Sequence, residues 1–305
     1  MRRTLSTLVA AAFALALTAT ACATNTPAAA PSPGTSYPVT VGSVTLNQKP
    51  THIVSLSATA TEMLFAIDAG TQVVAVDETS NYPANAPKTD LSSFKPNAEA
   101  IAAKQPDLVV LSDDQDHIVD QLKTLKIPVY VAPAAKTLDD SYAQIGDLGK
   151  LTGHSAEATA LSQRMRDDIA KLVKDASNRT SPLKFYYELD DTFYSVTSKS
   201  FIGSLFSSVG LVDIADGSGT ADNAYPQLSV ETIFKANPDL IFLADTKCCG
   251  QSLATVSARA GWSNLAAVKS GQVVGLDDDI ASRWGPRVVD LLRSITDAMA
   301  KAKSS

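Results

Sequence analysis

A fifteen-residue unit occurs twice in this chain. Glu99-Ala-Ile-Ala-Ala-Lys-Gln-Pro-Asp-Leu-Val-Val-Leu-Ser-Asp113 returns 132 residues later as Glu231-Thr-Ile-Phe-Lys-Ala-Asn-Pro-Asp-Leu-Ile-Phe-Leu-Ala-Asp245. Identities fall at Glu99/Glu231, Ile101/Ile233, Pro106/Pro238, Asp107/Asp239, Leu108/Leu240, Leu111/Leu243 and Asp113/Asp245, with Val109/Ile241 conservative beside them. Each copy reads as a short helix that stops at the residue before a proline, then a buried apolar run of strand length. The spacing is too wide for a solenoid and points to two similarly built lobes. Each copy also opens on an acid at a helix start.

The chain has 305 residues, enough for two ordinary domains, and its 45% hydrophobic and 19% charged residues are those of a globular protein. The formal charge is −6, and loss of Arg2 and Arg3 with a leader makes the mature chain more acidic still. Nucleic acid is therefore excluded as a partner, since phosphate neutralisation needs clustered Lys and Arg. Residues 1–21 read as a secretory leader: Arg2 and Arg3, an apolar run from Leu8 to Leu17 too short to span a bilayer comfortably, then Ala19-Thr20-Ala21 before Cys22. This segment resembles a bacterial lipoprotein leader, which implies lipidation of Cys22, although Ala19 stands where Leu is preferred. The alternative is a plain secreted protein cut after Ala-x-Ala, with Cys22 incidental. Residues 22–37, rich in Thr, Ala, Pro and Ser, read as a flexible tether.

The remainder alternates strand and helix, so the expected fold class is α/β: two Rossmann-like lobes with mainly parallel sheets joined by a single long helix. The expected divisions are an N-terminal lobe at 38–153, a connecting helix at 154–178 and a C-terminal lobe at 179–305. Pro38 to Asn47 reads as a β-ribbon. In the first lobe, strand Ile53 to Leu56 leads through Ser57-Ala58-Thr59 into a helix from Thr61 to Ala66, with Thr59 or Ala60 near its cap and Glu62 in its first turn. Asp77 to Lys95 reads as loop. Ser155 to about Asp175 carries one apolar stripe (Ala158, Leu161, Met165, Ile169, Leu172, Val173), giving a helix roughly 31 Å long. In the second lobe Asp216–Gln227, Asp245–Ser252 and Asp277–Gly285 read as loops, and Pro286 to Lys301 as the last helix.

Ligands of open parallel sheets bind beyond the carboxyl ends of the strands. There the first lobe offers Ser57, Thr59, Tyr82, Phe94 and Asp113. The second offers Asp190, Asp191, Phe193, Tyr194, Tyr225, Lys247, Asp279, Arg283 and Trp284. Aromatics with a few polar groups suit a bulky, partly apolar ligand. Tyr82 and Tyr225, each followed by Pro, read equally well as packed loop residues. Arg283-Trp284 before a helix start favours an anionic group. Arg287 reads as a helix-surface residue. Cys248-Cys249, left with each other in an oxidising compartment, read either as a strained vicinal disulfide or as two small residues near a strand end.

Several of these stretches resemble the siderophore and vitamin B12 type of ABC-importer substrate-binding protein. They are Ile53-Val54-Ser55-Leu56-Ser57-Ala58-Thr59-Ala60-Thr61-Glu62, Ser80-Asn81-Tyr82-Pro83, Asn97-Ala98-Glu99, Pro106-Asp107-Leu108-Val109, Tyr225-Pro226-Gln227-Leu228-Ser229-Val230-Glu231 and Gly285-Pro286-Arg287. The resemblance runs from about Val39 to Lys301. It implies a lipid-anchored, extracytoplasmic, monomeric binder with ligand between the lobes and only modest closure. It further implies delivery to a permease dimer with its ATPase, and ligand contact at Tyr225 and Asp279. Glu99 and Glu231 match the acids that dock on permease arginines; a favourable place at a helix N-terminus explains a single Glu equally well. The implied ligand is an iron complex, a ferric siderophore or haem, with cobalamin as the alternative. A ligand-sensing lipoprotein and an enzyme are the rival classes. No dinucleotide or phosphate loop and no nucleophile elbow occurs, and His52, His117 and His154 are scattered, so no catalytic residue, cofactor or metal site is expected.

Overall fold

The structure, a computed structural model, describes residues 36–177, 181–220 and 223–302; the leader, Cys22 and nearly all of the tether lie outside them. An antiparallel ribbon of β1 (Val39–Val41) and β2 (Val44–Leu46) comes first. There follow β3 (Ile53–Leu56), α1 (Ala58–Ala66), β4 (Val73–Asp77), β5 (Lys88–Leu91), α2 (Ala98–Ala102), β6 (Leu108–Leu111), α3 (Ile118–Thr124) and β7 (Val129–Val131). Two long helices, α4 (Leu138–Thr152) and α5 (Ser155–Ala176), lead to β8 (Lys184–Glu188), α6 (Phe201–Ser208), β9 (Val212–Asp213), α7 (Val230–Ala236) and β10 (Leu240–Leu243). The chain closes with α8 (Thr246–Cys249), α9 (Leu253–Ala258), α10 (Ala266–Lys269), β11 (Val273–Gly275), α11 (Asp278–Ala281) and α12 (Val288–Lys301).

All pairings within the two main sheets are parallel: a five-stranded sheet of order β5-β4-β3-β6-β7 and a four-stranded one of order β11-β10-β8-β9. The central strands Leu-Val-Val-Leu of β6 and Leu-Ile-Phe-Leu of β10 are buried at every position, as strands covered on both faces require. Successive residues then serve different cores. Ile53 faces an inner cluster with Met63, Leu148, Met165, Phe185, Phe206 and Leu292, whereas Val54 faces an outer one with Ile101 and Ile118. Tyr186, Ile233 and Trp262 form the matching outer cluster of the second sheet. The inner cluster runs unbroken from one sheet to the other. It is sealed by the 22-residue α5, which packs on both α4 and α12.

The duplicated unit keeps its structural chemistry in both copies. The Asp107 carboxylate accepts from the backbone N–H groups of Thr51 (2.7 Å) and His52 (2.9 Å), and that of Asp239 accepts from the N–H of Lys184 (2.8 Å). Each aspartate thus ties the start of its strand to the start of the neighbouring central strand.

The structure corrects several boundaries. Helix α1 begins at Ala58, because the Ser57 hydroxyl accepts from the Ala60 N–H. Glu62 therefore lies one turn inside the helix, is buried, and does not serve the helix terminus. The stretch 77–95 is not wholly loop, since β5 adds a polar edge strand there, and β9 is an edge strand at positions where no element was expected. Short helical turns α8 and α11 replace two other expected loops, and α12 starts only after Pro286.

Close approach of α4 to α5 depends on Gly149. A Cβ there would lie 2.4 Å from that of Ala158, with backbone on its other side. Gly146, one turn earlier, has open space. Gly149→Ala should lower unfolding free energy by about 1–3 kcal/mol through overpacking. Gly146→Ala should raise it by up to about 1 kcal/mol through helix propensity. Urea denaturation of the two variants side by side checks the contrast.

Candidate functional site

Strand order places one crevice in each lobe. In the five-stranded sheet the chain steps from β3 to β4 on one side and returns to β6 on the other, so the loops after β3 and β6 part over the switch point. In the four-stranded sheet the equivalent point lies between β8 and β10. A cavity of about 380 Å³ opens over the first crevice, walled by Ser57, Thr59, Thr79, Phe94, Ser112, Asp113 and Gln115 from the N-terminal half. Asp279, Ser282, Arg283 and Trp284 from the segment after β11 close it. Of the residues expected at the ligand, Ser57, Thr59, Phe94, Asp279, Arg283 and Trp284 meet here. A hollow of about 360 Å³ between α5 and α12 has neither an aromatic nor a cation in its lining, so it lacks the character of a ligand seat.

Trp284 is fixed from behind. Its indole N–H donates to the Gln144 side chain (2.8 Å), and its carbonyl accepts from the Ser141 hydroxyl (2.5 Å), both on α4. The residue is thereby held in the cavity lining. Phe94, at 71% exposure, is the most exposed large apolar residue, and Tyr82, Tyr194 and Tyr225 are also well exposed. Tyr194 and Tyr225 lie outside the lining of this cavity, on two adjacent strips of chain joined by the bridge between Tyr194 and Gln227.

The cations expected to meet an anionic ligand are already engaged. Arg283 is 8% exposed. It donates to Glu62 (2.7 Å), the Asn81 side-chain oxygen (3.0 Å), the Thr79 carbonyl (3.0 Å) and Asp279 (2.8 Å). Arg287 is no surface residue: it grips both oxygens of Glu62 (2.9 and 2.5 Å) and lies 4.3 Å above the Tyr82 ring. Lys247 bridges Asp277 (2.9 Å) and Asp279 (2.7 Å). Burial works to raise the pKa of Asp279, but Lys247, Asn81 and Arg283 outweigh it and hold the carboxyl below its usual range. Those two aspartates in turn raise the pKa of Lys247. Three acids and three bases form one closed set, and Asn81 carries it across the cleft by donating to Asp279 (2.9 Å). Reading Glu62 as a helix-dipole residue missed this; a partner 221 positions away leaves no local signal.

A second buried pair props the other crevice. Glu188, at the end of β8, is fully buried and receives both guanidinium nitrogens of Arg259 at 2.6 Å. Arg259 also lies 4.7 Å from the Trp262 ring centre. Beside this pair the buried Asp245 carboxylate has no hydrogen-bond partner among the described residues. Burial first, then the Glu188 charge, pushes its pKa up to about 7. Cys248 and Cys249, weighed from the sequence as a vicinal disulfide, stand in this structure as free, exposed thiols closing the single turn of α8. Glu99 and Glu231 are both exposed, each in the first turn of a helix capped by Asn97 or Ser229, and neither makes an ion pair among the described residues. No group of three or more metal-ligating side chains occurs among the described residues.

Comparisons with known proteins agree with this architecture. The profile of a family described as periplasmic binding protein matches residues 53–280. The "Uncharacterized ABC transporter substrate-binding lipoprotein YvrC" of Bacillus subtilis is 26% identical over 277 residues, covering 86% of each chain. A protein of Halobacterium salinarum named "Cobalamin-binding protein" is 28% identical over 276 residues, 86% of this chain and 74% of that one. The crystal structure of the periplasmic heme-binding protein HutB of Vibrio cholerae superposes with a TM-score of 0.73 at 20% identity, over 82% of this chain and 98% of that one.

Glu62 is the testable centre of the ion network. Removing one partner of a buried pair leaves charge without compensation, so Glu62→Ala should cost about 3–5 kcal/mol of unfolding free energy. Lys247→Ala removes an exposed partner and should cost within about 1 kcal/mol. Equal losses in urea denaturation would show that the network has no buried centre.

Proposed function

Because this chain belongs to the periplasmic binding protein family, we propose that it is the extracytoplasmic solute-binding component of an ABC importer, holding a bulky metal complex between its lobes and handing it to a permease. The reading rests on the cavity at the sheet switch point, lined by Trp284 and by the exposed Phe94. Aromatic faces and hydroxyls fit an amphiphilic chelate better than a small polar solute. A volume of about 380 Å³ seats one edge of such a ligand, and the remainder lies between the exposed tyrosines.

The closed charge set selects within the class of iron complexes and cobalamin. With Arg283, Arg287 and Lys247 all matched by Glu62, Asp277 and Asp279, the site offers no free cation to an anionic ligand. A neutral complex fits best: a ferric tris-hydroxamate, whose anionic groups cancel the ferric charge, or cobalamin. The relative named for cobalamin supports the second of these.

Glu99 and Glu231 are the docking points in this reading. In a parallel sheet the helices run opposite to the strands, so first-turn residues lie on the side of the strand carboxyl ends. Both acids therefore stand on the mouth side, exposed and in duplicated settings, which suits a two-fold partner presenting cations. Cys22, as the lipidated first residue, would tether the domain to the membrane surface. No helix of the described residues is long and apolar enough to cross a bilayer.

Quenching of Trp284 fluorescence, in a Trp262→Phe background, should rank a panel of ligands. A ferric tris-hydroxamate or cyanocobalamin should bind at least about tenfold more tightly than haem or a ferric tris-catecholate. The reverse order would overturn the charge argument. The double variant Glu99→Lys, Glu231→Lys should abolish uptake in cells while leaving ligand affinity unchanged, and normal uptake would remove the docking assignment.

A further inference from the structure

The two thiols play no part in the site as described, yet their helix turn carries one of its charges. Cys248 and Cys249 are adjacent and exposed, and they complete the four-residue α8, which begins at Thr246 and stops at Gly250 with φ of 66°. Asp278 holds the start of this turn, helped by the Leu276 carbonyl, which accepts from the Thr246 hydroxyl (2.9 Å). One Asp278 oxygen accepts from the N–H (3.0 Å) and hydroxyl (2.7 Å) of Thr246, the other from the N–H groups of Lys247 (2.8 Å) and Cys248 (3.0 Å). The N–H of Cys249 donates to the Asp245 carbonyl (3.2 Å). Lys247, inside the same turn, reaches Asp277 and Asp279, and Asp279 lines the ligand cavity.

We propose that Cys248 and Cys249 form an oxidisable dithiol, and that closing it to a vicinal disulfide releases Lys247 from Asp277 and Asp279 at the cavity wall. Successive residues of a helix project about 100° apart, so their sulfurs can come within hydrogen-bond reach but a bond of about 2.05 Å between them is incompatible with the turn. Closure pulls the 248–249 peptide out of helical geometry and with it the N–H groups anchored on Asp278 and Asp245. Lys247 then loses the backbone that aims its ammonium.

The chemistry balances with a small-molecule disulfide, such as oxidised glutathione, as oxidant. One thiolate attacks it, forming a mixed disulfide and expelling one thiol. The neighbouring sulfur then attacks the mixed disulfide and expels the second. The protein loses two protons and two electrons, and the oxidant's S–S bond becomes two thiols. The two sulfurs already interact: hydrogen bonding to Cys249 first, then burial, pushes the Cys248 thiol up to about 12.

The consequence for ligand choice rests on the importer reading, but the switch can be tested without any ligand. The exported protein, reduced and then exposed to oxidised glutathione, is followed by intact mass, by peptide mapping and by the acetylation rate of Lys247 relative to exposed Lys235. The expected result is a monomer lighter by about 2 Da, with the bond mapped to 248–249. Lys247 should be acetylated severalfold faster, since each pKa unit released raises the reactive amine about tenfold. Cys248→Ser and Cys249→Ser should keep the slow Lys247 rate under the same oxidant. A lasting glutathione adduct, a disulfide-linked dimer, or closure with an unchanged Lys247 rate would each overturn the proposal.

Discussion

One carboxylate, that of Glu62, determines how the two halves of this molecule meet. It is buried inside α1 of the first half and is held by two guanidinium groups from the segment that precedes α12 in the second. Neither partner tolerates that environment alone, because a buried charge without its counter-ion costs several kcal/mol. Together they form paired, charge-assisted contacts whose geometry is fixed by the planar guanidinium forks. The junction is therefore set to one arrangement, and the segment bearing Asp279, Arg283 and Trp284 is delivered to the first crevice as a preformed wall. The ion network behind this wall is neutral in sum, three acids against three bases.

The same junction limits motion. Hinged binding proteins close around a ligand through strands or loops that can bend with little repacking. Here the inner apolar cluster passes without interruption from Met63 and Leu148 through Met165 to Phe206 and Leu292. Rotating one sheet against the other would open voids in a close-packed interior. With α5 lying along α4 and α12, the energy of closure is tied to core packing, so the cleft is largely shaped before ligand arrives.

The parts of this design that follow local rules were readable from the residues. Four-residue apolar runs flanked by Pro-Asp and by loop residues identified β6 and β10. The stripe from Ala158 to Val173 identified α5. Strands β5 and β9 were not legible. Lys88-Thr-Asp-Leu91 has almost no apolar pattern, and an edge strand needs none, since only one side is paired and the other meets solvent. The ion network was illegible for a different reason. The sequence showed that Arg283 was a cation beside a cleft, but whether its donors were free depended on Glu62, Thr79 and Asn81, some two hundred residues away.

The duplicated unit shows where the two halves were free to differ. Asp107 and Asp239 answer the same backbone demand at the start of a central strand, and neither can be exchanged without releasing an N–H group from its acceptor. The last acids of the two copies obey no such demand. Asp113 is exposed on the lip of the cavity, where it binds the Gln115 amide and the Asp114 N–H. Asp245 is buried beneath α8 with its carboxyl left without a partner among the described residues. The scaffold end of each unit serves strand pairing, and the loop end serves whatever lies above the strand termini. In the first half that is the cavity lined by Phe94 and Trp284; in the second it is the turn that bears Lys247. A pseudo-symmetric fold thus carries an asymmetric site, because only the residues beyond the carboxyl ends of the strands were released from the geometry of the sheet.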